Sequence, residues 1–278
     1  MAASTHETCC VCGKKTAQRC GPCGAAGVTL LFCSRECQKL VHFAHKQVCG
    51  KNAKPFRFPP LSPDELTSAI TYAPHRIEAG PGIKISLNER LKATVGCAEE
   101  DVPALLTDLA SPDTPKLSPA VRFRALCDVR TFIHTRSSMP HDKHPNSAGA
   151  RLSQIPGALG LLSLTASHLN HRRAYESPFY PVEEDWYIRL LHQVVVLGAL
   201  TSLVFTPEIV EDQAKMDRAK EVAKLLAPAS EPLRALILEV RKGDKDLARR
   251  ICVALEDFED LGCGPFEDLR PEGGENKE

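Results

Sequence analysis

Beyond residue 62, apolar residues recur at three- and four-residue steps, which is the spacing of one face of an α-helix. In the segment 119–135 this face carries Phe123, Leu126, Arg130 and Ile133. Further helices are predicted at 155–169, 183–205, 232–241 and 245–261, and strand-like alternation is scarce. The pattern therefore predicts an all-helical domain over residues 63–269.

Capping residues indicate where several of these helices begin. Ser86 and Glu89 form a capping-box pattern, and Asp244 precedes the last long helix. The run Thr206-Pro207-Glu208 predicts another helix start, with apolar positions continuing as far as Leu226.

The most apolar stretch is 186–205. Arg189, His192 and Gln193 interrupt it. They leave about a dozen uninterrupted apolar residues, whereas a membrane span needs about twenty. We therefore expect a central buried helix and no membrane association.

The first fifty residues lack this periodicity and are rich in cysteine. The chain has twelve cysteines, and eight of them lie before residue 50. Seven of these eight and one histidine form four close pairs of metal-ligand type: Cys9 and Cys12, Cys20 and Cys23, Cys33 and Cys37, His45 and Cys49. Thiolates with one imidazole suit zinc in tetrahedral coordination, and eight donors make two closed sites that are structural and not catalytic.

The spacing of these residues also predicts how they divide between two ions. A helix beginning after Ser34 places Cys37 and His45 on one face, yet about 12 Å apart, which is too far for one metal. We therefore predict interleaved sets, with Cys9, Cys12, Cys33 and Cys37 on one zinc and Cys20, Cys23, His45 and Cys49 on the other. Cys10 is interpreted as a spare thiol, with a register exchange with Cys9 as the open alternative. Gly13 and Gly24 follow the first two pairs, where positive φ would let the backbone turn.

The order of the pairs, the segment Leu-Phe-Cys-Ser-Arg-Glu-Cys-Gln-Lys at 31–39 and the ending His-Lys-Gln-Val-Cys at 45–49 resemble the MYND zinc finger. This resemblance covers residues 9–49, called the finger below. It implies a small two-zinc cross-brace fold and, as in relatives, a groove for short Pro-x-Leu-x-Pro peptides. His42 stands where the family usually has a tryptophan that helps to shape the groove. The finger's few apolar residues would not offset the cost of ordering it, so we expect zinc to supply the difference.

The remaining divisions follow from composition. Residues 1–8 are interpreted as an N-terminal tail and 270–278 as a disordered tail, since both are polar and aperiodic. Residues 50–62 are proline-rich and lack periodicity, so we predict a linker there.

Charge and targeting features narrow the function classes. The 278 residues are 43% hydrophobic and 25% charged with a formal net charge of zero, as is ordinary for a soluble globular protein. Residues 1–58 hold nine Lys and Arg against two acidic residues, but seven thiolates and two zinc ions reduce that excess to about +4. Without basic runs or base-stacking aromatic residues, nucleic-acid binding is not expected. The N-terminus has no secretory pattern, so we expect a reducing compartment, nucleus or cytoplasm, and no secretion.

The resemblance implies an adaptor that binds proteins, through proline-rich peptides and in transcriptional regulation, and that is not an enzyme. The chain itself contains Pro59-Pro60-Leu61-Ser62-Pro63, which either occupies the finger groove or simply starts the next helix. The alternative is a SET-type protein lysine methyltransferase carrying a MYND finger, because Leu169-Asn170-His171 resembles the Asn-His element of that fold.

Overall fold

The computed structural model describes residues 8–80, 83–112, 117–137, 157–171, 184–205, 213–259 and 263–270. Within the finger the helices are α1 (Gly21–Ala25) and α2 (Arg35–His45). The rest of the described chain contains α3 (Pro63–Tyr72), β1 (Arg76–Gly80), β2 (Ile83–Ser86), α4 (Leu87–Val95), α5 (Val102–Ala110), α6 (Pro119–Ser137), α7 (Gly157–His171), α8 (Asp185–Val204), α9 (Gln213–Ala223), α10 (Leu226–Gly243), α11 (Lys245–Ala254) and α12 (Glu256–Glu259). The protein is thus mostly helical, as predicted. The N-terminal tail, except Thr8, and the C-terminal tail, except Arg270, lie outside the described residues.

The predicted caps begin the helices that follow them. Ser34 accepts a hydrogen bond from the Cys37 N–H at the start of α2, and Asp244 accepts one from the Leu247 N–H at the start of α11. Ser86 forms a reciprocal capping box with Glu89 at α4. Each cap satisfies a backbone donor that the first helical turn leaves unpaired.

The expectation of a purely helical second part is wrong at residues 76–86. There β1 and β2 form an antiparallel two-stranded sheet, with Ile77 opposite Ile85. The polar-apolar alternation around these two isoleucines has the period of a strand, and it is too short to stand out among helical patterns.

The boundaries of α9 and α10 also differ from the prediction. The helix start expected at Thr206 falls outside the described residues. Leu226 was predicted to lie in the same helix, but α9 ends at Ala223 and Leu226 begins α10. Pro232 lies inside α10, where a helix start was predicted. The lost N–H of one proline is offset by the burial of Leu226, Ala229 and Leu233 along the same face.

The core is organised around α8, the apolar helix predicted to be central. Nearly all of its side chains from Tyr187 to Thr201 are buried, and it packs against α7, α10 and the finger helix α2. Gly198 allows the closest of these approaches, because a Cβ there would lie 3.0 Å from the Ala158 backbone. By length and composition alone this helix is apolar enough to cross a membrane, a test that a buried core helix also passes.

The segment predicted as a linker is packed into this core. Phe56 and Phe58 are buried, and Phe56 makes edge contacts with Phe58 and Phe123. Finger residues and helical residues therefore belong to one continuous hydrophobic cluster. The sequence of this segment is proline-rich and not periodic, which is typical of a linker. The burial of two aromatic side chains nevertheless holds the segment against the helices. The division into separate domains stays a prediction.

Candidate metal centre

The first group of metal-ligand residues is assembled by backbone hydrogen bonds around residue 9. Gly13 N–H donates to the Cys9 carbonyl at 2.9 Å, and Gly13 has φ 70°, the left-handed conformation that glycine adopts without strain. Cys10 N–H donates to the Leu31 carbonyl at 3.0 Å, which brings this loop beside Cys33. The start of α2 then supplies Cys37.

The first group consists of Cys9, Cys12, Cys33 and Cys37, whose donor atoms all lie within 4.8 Å of one another. The Sγ of Cys12 lies 3.4 Å from that of Cys33 and 3.7 Å from that of Cys37, and the Sγ atoms of Cys33 and Cys37 are 3.6 Å apart. A zinc tetrahedron with 2.3 Å bonds has edges of about 3.8 Å. A disulfide would hold its sulfur atoms about 2.05 Å apart. The spacing fits four ligands around one ion.

The second group is built from α1, the end of α2 and the turn after it. Pro22 lies in the first turn of α1, which carries Cys23, and Val28 N–H donates to the Cys23 carbonyl at 2.9 Å. The positive φ expected at Gly24 is found instead at Gly27, 83°, because Gly24 is still helical. The chain turns only after the short helix has ended.

The second group consists of Cys20, Cys23, His45 and Cys49, again within 4.8 Å. The Nε2 atom of His45 lies 3.4 Å from the Cys20 Sγ and 3.6 Å from the Cys23 Sγ. Cys49 Sγ is 3.5 Å from Cys20 Sγ and 3.4 Å from Cys23 Sγ. The side-chain amide of Gln38 also donates to the Cys20 Sγ at 3.9 Å.

Burial controls the protonation of these donors. It raises the pKa of the Cys23 and Cys37 thiols far above the usual range, with neighbouring cysteines adding to the effect. Burial also raises the pKa of Cys9, but N–H groups of Cys33, Cys12 and Val11 outweigh it and the net pKa is lowered. A bound divalent cation would lower the pKa values of these clustered thiols, because it stabilises each thiolate directly.

The single histidine donor is held in its neutral form. Burial lowers the pKa of His45 to about 4, and the nearby His42 adds to the shift. Neutral imidazole is the form that ligates a metal. Phe32 packs on one side of the His45 ring with the centroids 5.8 Å apart, and His192 of α8 lies 6.2 Å away.

The prediction of two zinc ions is confirmed in this sense: the structure gathers the eight predicted residues into two four-donor groups, each able to hold one ion. The two groups alternate along the chain, as predicted. The assignment of each residue as a ligand stays a prediction. Cys10 belongs to neither group, and its buried thiol has a pKa raised well above the usual range by burial.

Two residues near the second group were not predicted. Gln38 lies one residue after Cys37 and was seen only as part of the Cys-Gln motif. In the sequence, His192 stands out only because it interrupts an apolar run. A polar residue such as His192 inside the most apolar helix indicates a specific contact, but the sequence does not show which residue it contacts.

The outward face of α2 is open to solvent. Phe43 is 41% exposed, and His42 is exposed beside it. Arg35 and Lys39 of this helix and Lys46 just after it are also exposed, against one exposed acidic residue, Glu36, so this part of the surface is net basic.

The proline-rich peptide at 59–63 is packed at the start of a helix. Leu61 is buried and its N–H donates to the Leu109 carbonyl of α5 at 3.1 Å, while Ser62 caps α3 in a capping box with Glu65. The simpler interpretation, a helix start, is the one that the structure shows. Asn170 and His171, quoted for the methyltransferase alternative, are the last two residues of α7.

Comparisons of the chain with known protein families, with curated proteins and with solved structures gave no match. The resemblance to the MYND finger therefore rests on the residues themselves.

Proposed function

We propose that this protein is a zinc-stabilised adaptor whose finger, of the MYND cross-brace type, binds proteins through short Pro-x-Leu-x-Pro peptides. One observation carries the proposal. Two interleaved four-donor groups fasten the inner side of α2, while the outer side of the same helix presents Phe43 and His42 to solvent.

Rigidity is what makes such a surface useful. The inner side of α2 is fixed by Cys37, by His45 and by the burial of Val41 and Ala44. A surface that is already ordered, and a proline peptide with restricted backbone angles, lose little conformational entropy when they meet. An exposed Phe supplies an apolar contact for the peptide's prolines or leucine.

The charge of this surface narrows the kind of peptide. Arg35 and Lys39 are exposed on α2 and Lys46 is exposed directly after it, against one exposed acidic residue of the same helix, Glu36. We expect acidic residues flanking the proline motif to strengthen binding, and this contribution should weaken as salt is added. His42 offers a smaller ring than the tryptophan of relatives, so affinity should be lower than a tryptophan would give.

The cellular setting belongs to the same proposal. None of the twelve cysteines is joined in a disulfide. This supports a reducing compartment, nucleus or cytoplasm. A role in transcriptional regulation is proposed from the resemblance to the MYND finger. We assign no reaction and no nucleic-acid or membrane partner to the chain. If calorimetry showed that the chain binds S-adenosylmethionine, the proposal that it catalyses no reaction would be contradicted and the methyltransferase alternative would be favoured.

The test is titration of the zinc-loaded full chain with a Pro-x-Leu-x-Pro peptide carrying acidic flanks, against the same peptide with its leucine changed to alanine. Phe43→Ala should weaken binding at least fivefold, and His42→Trp should strengthen it. Leu238→Ala is the matched control, because Leu238 is similarly exposed, 44%, but lies on α10. Equal weakening by Phe43→Ala and Leu238→Ala, or no preference for the leucine peptide, would refute the proposal.

A further inference from the structure

Two buried histidines face each other where the finger meets the helical part of the protein. His45 is 2% exposed and His192 is 1% exposed, and their ring centroids are 6.2 Å apart. His45 is one donor of the second metal group, whereas His192 comes from α8. Phe56 packs edge-on against His192 at 5.1 Å and closes the junction from the side of residues 50–62.

The contacts of each ring indicate which of its nitrogen atoms carries hydrogen when zinc is bound. Since Nε2 of His45 lies against the sulfur atoms of Cys20 and Cys23, ligation through Nε2 leaves the hydrogen on Nδ1. Nε2 of His192 lies 3.4 Å from the Ala53 carbonyl, which only accepts, so Nε2 carries the hydrogen and Nδ1 is a bare acceptor.

The two remaining nitrogen atoms are complementary. Nδ1 of His45 is a buried donor and Nδ1 of His192 is a buried acceptor, and among the described residues neither has a hydrogen-bond partner. A buried polar atom without a partner lowers stability, so two such atoms in neighbouring rings need an explanation. A direct bond of about 3 Å would bring the centroids to about 5 Å, whereas one intervening water suits the observed separation.

We propose that His192 is a positioning residue for the second zinc site: its Nδ1 accepts the Nδ1–H of His45 through one bound water. The chain of contacts then runs from zinc through His45, water and His192 to the Ala53 carbonyl. A ligating imidazole is oriented, and its basicity raised, by a partner at its other nitrogen. Zinc in turn makes the Nδ1–H a stronger donor, so metal binding strengthens the link to α8.

This arrangement couples two events that the sequence presents as separate. Zinc binding at the second site and packing of the finger on α8 each favour the other, because the same imidazole takes part in both. The first site has four cysteine donors and no such connection is proposed for it. The inference does not depend on peptide binding, so either proposal can fail alone.

Cobalt titration of the metal-free full chain tests the coupling. Co²⁺ in a site with three sulfur donors and one nitrogen donor absorbs differently from Co²⁺ in a four-sulfur site, so the two affinities can be followed separately. His192→Phe keeps a ring in the junction but removes the acceptor, and should weaken the second site at least tenfold while leaving the first within about threefold. His192→Gln restores one acceptor and one donor, and should recover most of the affinity.

Phe258→Leu is the matched control, because Phe258 is fully buried but lies on α12. It should destabilise the core and leave the ratio of the two cobalt affinities unchanged. An equal loss at both sites in His192→Phe, or no difference between His192→Phe and His192→Gln, would overturn the proposal.

A measurement on the unmodified zinc-loaded protein avoids any failure of a variant to fold. Long-range ¹H–¹⁵N spectra should show His45 protonated at Nδ1 with slow exchange and a cross-relaxation peak to water, and His192 protonated at Nε2. A His192 ring protonated at Nδ1 would rule out the acceptor role.

Discussion

Replacing Arg130 tests how residues 50–62 are held against the helices. Its side chain is almost fully buried in α6, and its Nε donates to the Glu65 carboxylate at 2.7 Å. Its Nη2 donates to the Glu65 carboxylate at 3.2 Å and to the carbonyls of Pro59 and Pro60, both at 3.1 Å. The guanidinium also stacks over the Phe58 ring, 4.9 Å from its centroid.

Arg130→Met should destabilise the protein by about 3 kcal/mol. Methionine preserves the apolar stem, so most of the loss is electrostatic. Removing one partner of a buried ion pair costs about 3–5 kcal/mol. The lower end applies because the Glu65 side chain is 23% exposed and its carboxylate still accepts the Ser62 N–H at 2.8 Å. At about 2–4 °C per kcal/mol for a chain of this size, the midpoint of thermal unfolding should fall by about 6–12 °C.

The assay is equilibrium unfolding of zinc-loaded protein, followed by circular dichroism, for Arg130→Met, Glu65→Gln and the double variant. The losses of stability in the two single variants should add up to about 2 kcal/mol more than the loss in the double variant, because both single changes remove the same contact. Arg234→Met is the control: Arg234 pairs with Asp268 at 2.7 Å, but the Asp268 side chain is 50% exposed, so this change should cost clearly less than Arg130→Met. Strict additivity, or equal costs for Arg130→Met and Arg234→Met, would refute the reasoning.

Four further predictions concern the metal, the acid limit and the packing of residues 50–62. Mass spectrometry of the purified full chain should find two zinc ions, and Cys12→Ser or Cys20→Ser should each lower this number by at least one; an unchanged zinc content would contradict the ligand sets. Burial raises the pKa of Glu65, but the Arg130 hydrogen bond and charge outweigh it and the net pKa is lowered. Its stabilisation is therefore complete above the unfolded pKa of about 4.3 and is lost as the pH falls through the lower folded pKa, so Glu65→Gln should flatten the acid limb of stability against pH. Phe56→Ala removes a fully buried ring that contacts three others and should cost about 3–5 kcal/mol, measured by urea unfolding. Leu61→Ala should cost about 2–4 kcal/mol without raising peptide affinity, and a gain in affinity would revive self-occlusion of the finger groove.

Local chemistry in the sequence was enough to predict the donor groups and most helices. Cys-x-x-Cys pairs place two sulfur atoms on one ion whatever the rest of the chain does, and helical rise alone separates Cys37 from His45. Capping at Ser34, Ser86 and Asp244 depends on residues within three positions, so it can be predicted from short segments.

Boundaries set by competition between neighbouring elements were less predictable. The sheet of β1 and β2 uses an alternation too short to be separated from helical patterns. The start of α10 at Leu226, ahead of Pro232, depends on which face is buried against α8. In both cases burial in the assembled core outweighs the local signal.

What the sequence alone determined is therefore the set of donors, their interleaved order and the helical character of the rest. Only the tertiary structure decided that residues 50–62 pack in the core, that Arg130 is buried against Glu65 and that His192 faces His45. The reason is physical: a metal knuckle or a helix cap is complete within a few residues. The partner of a buried charge or imidazole lies 65 or 147 positions away along this chain, and folding alone brings the two together.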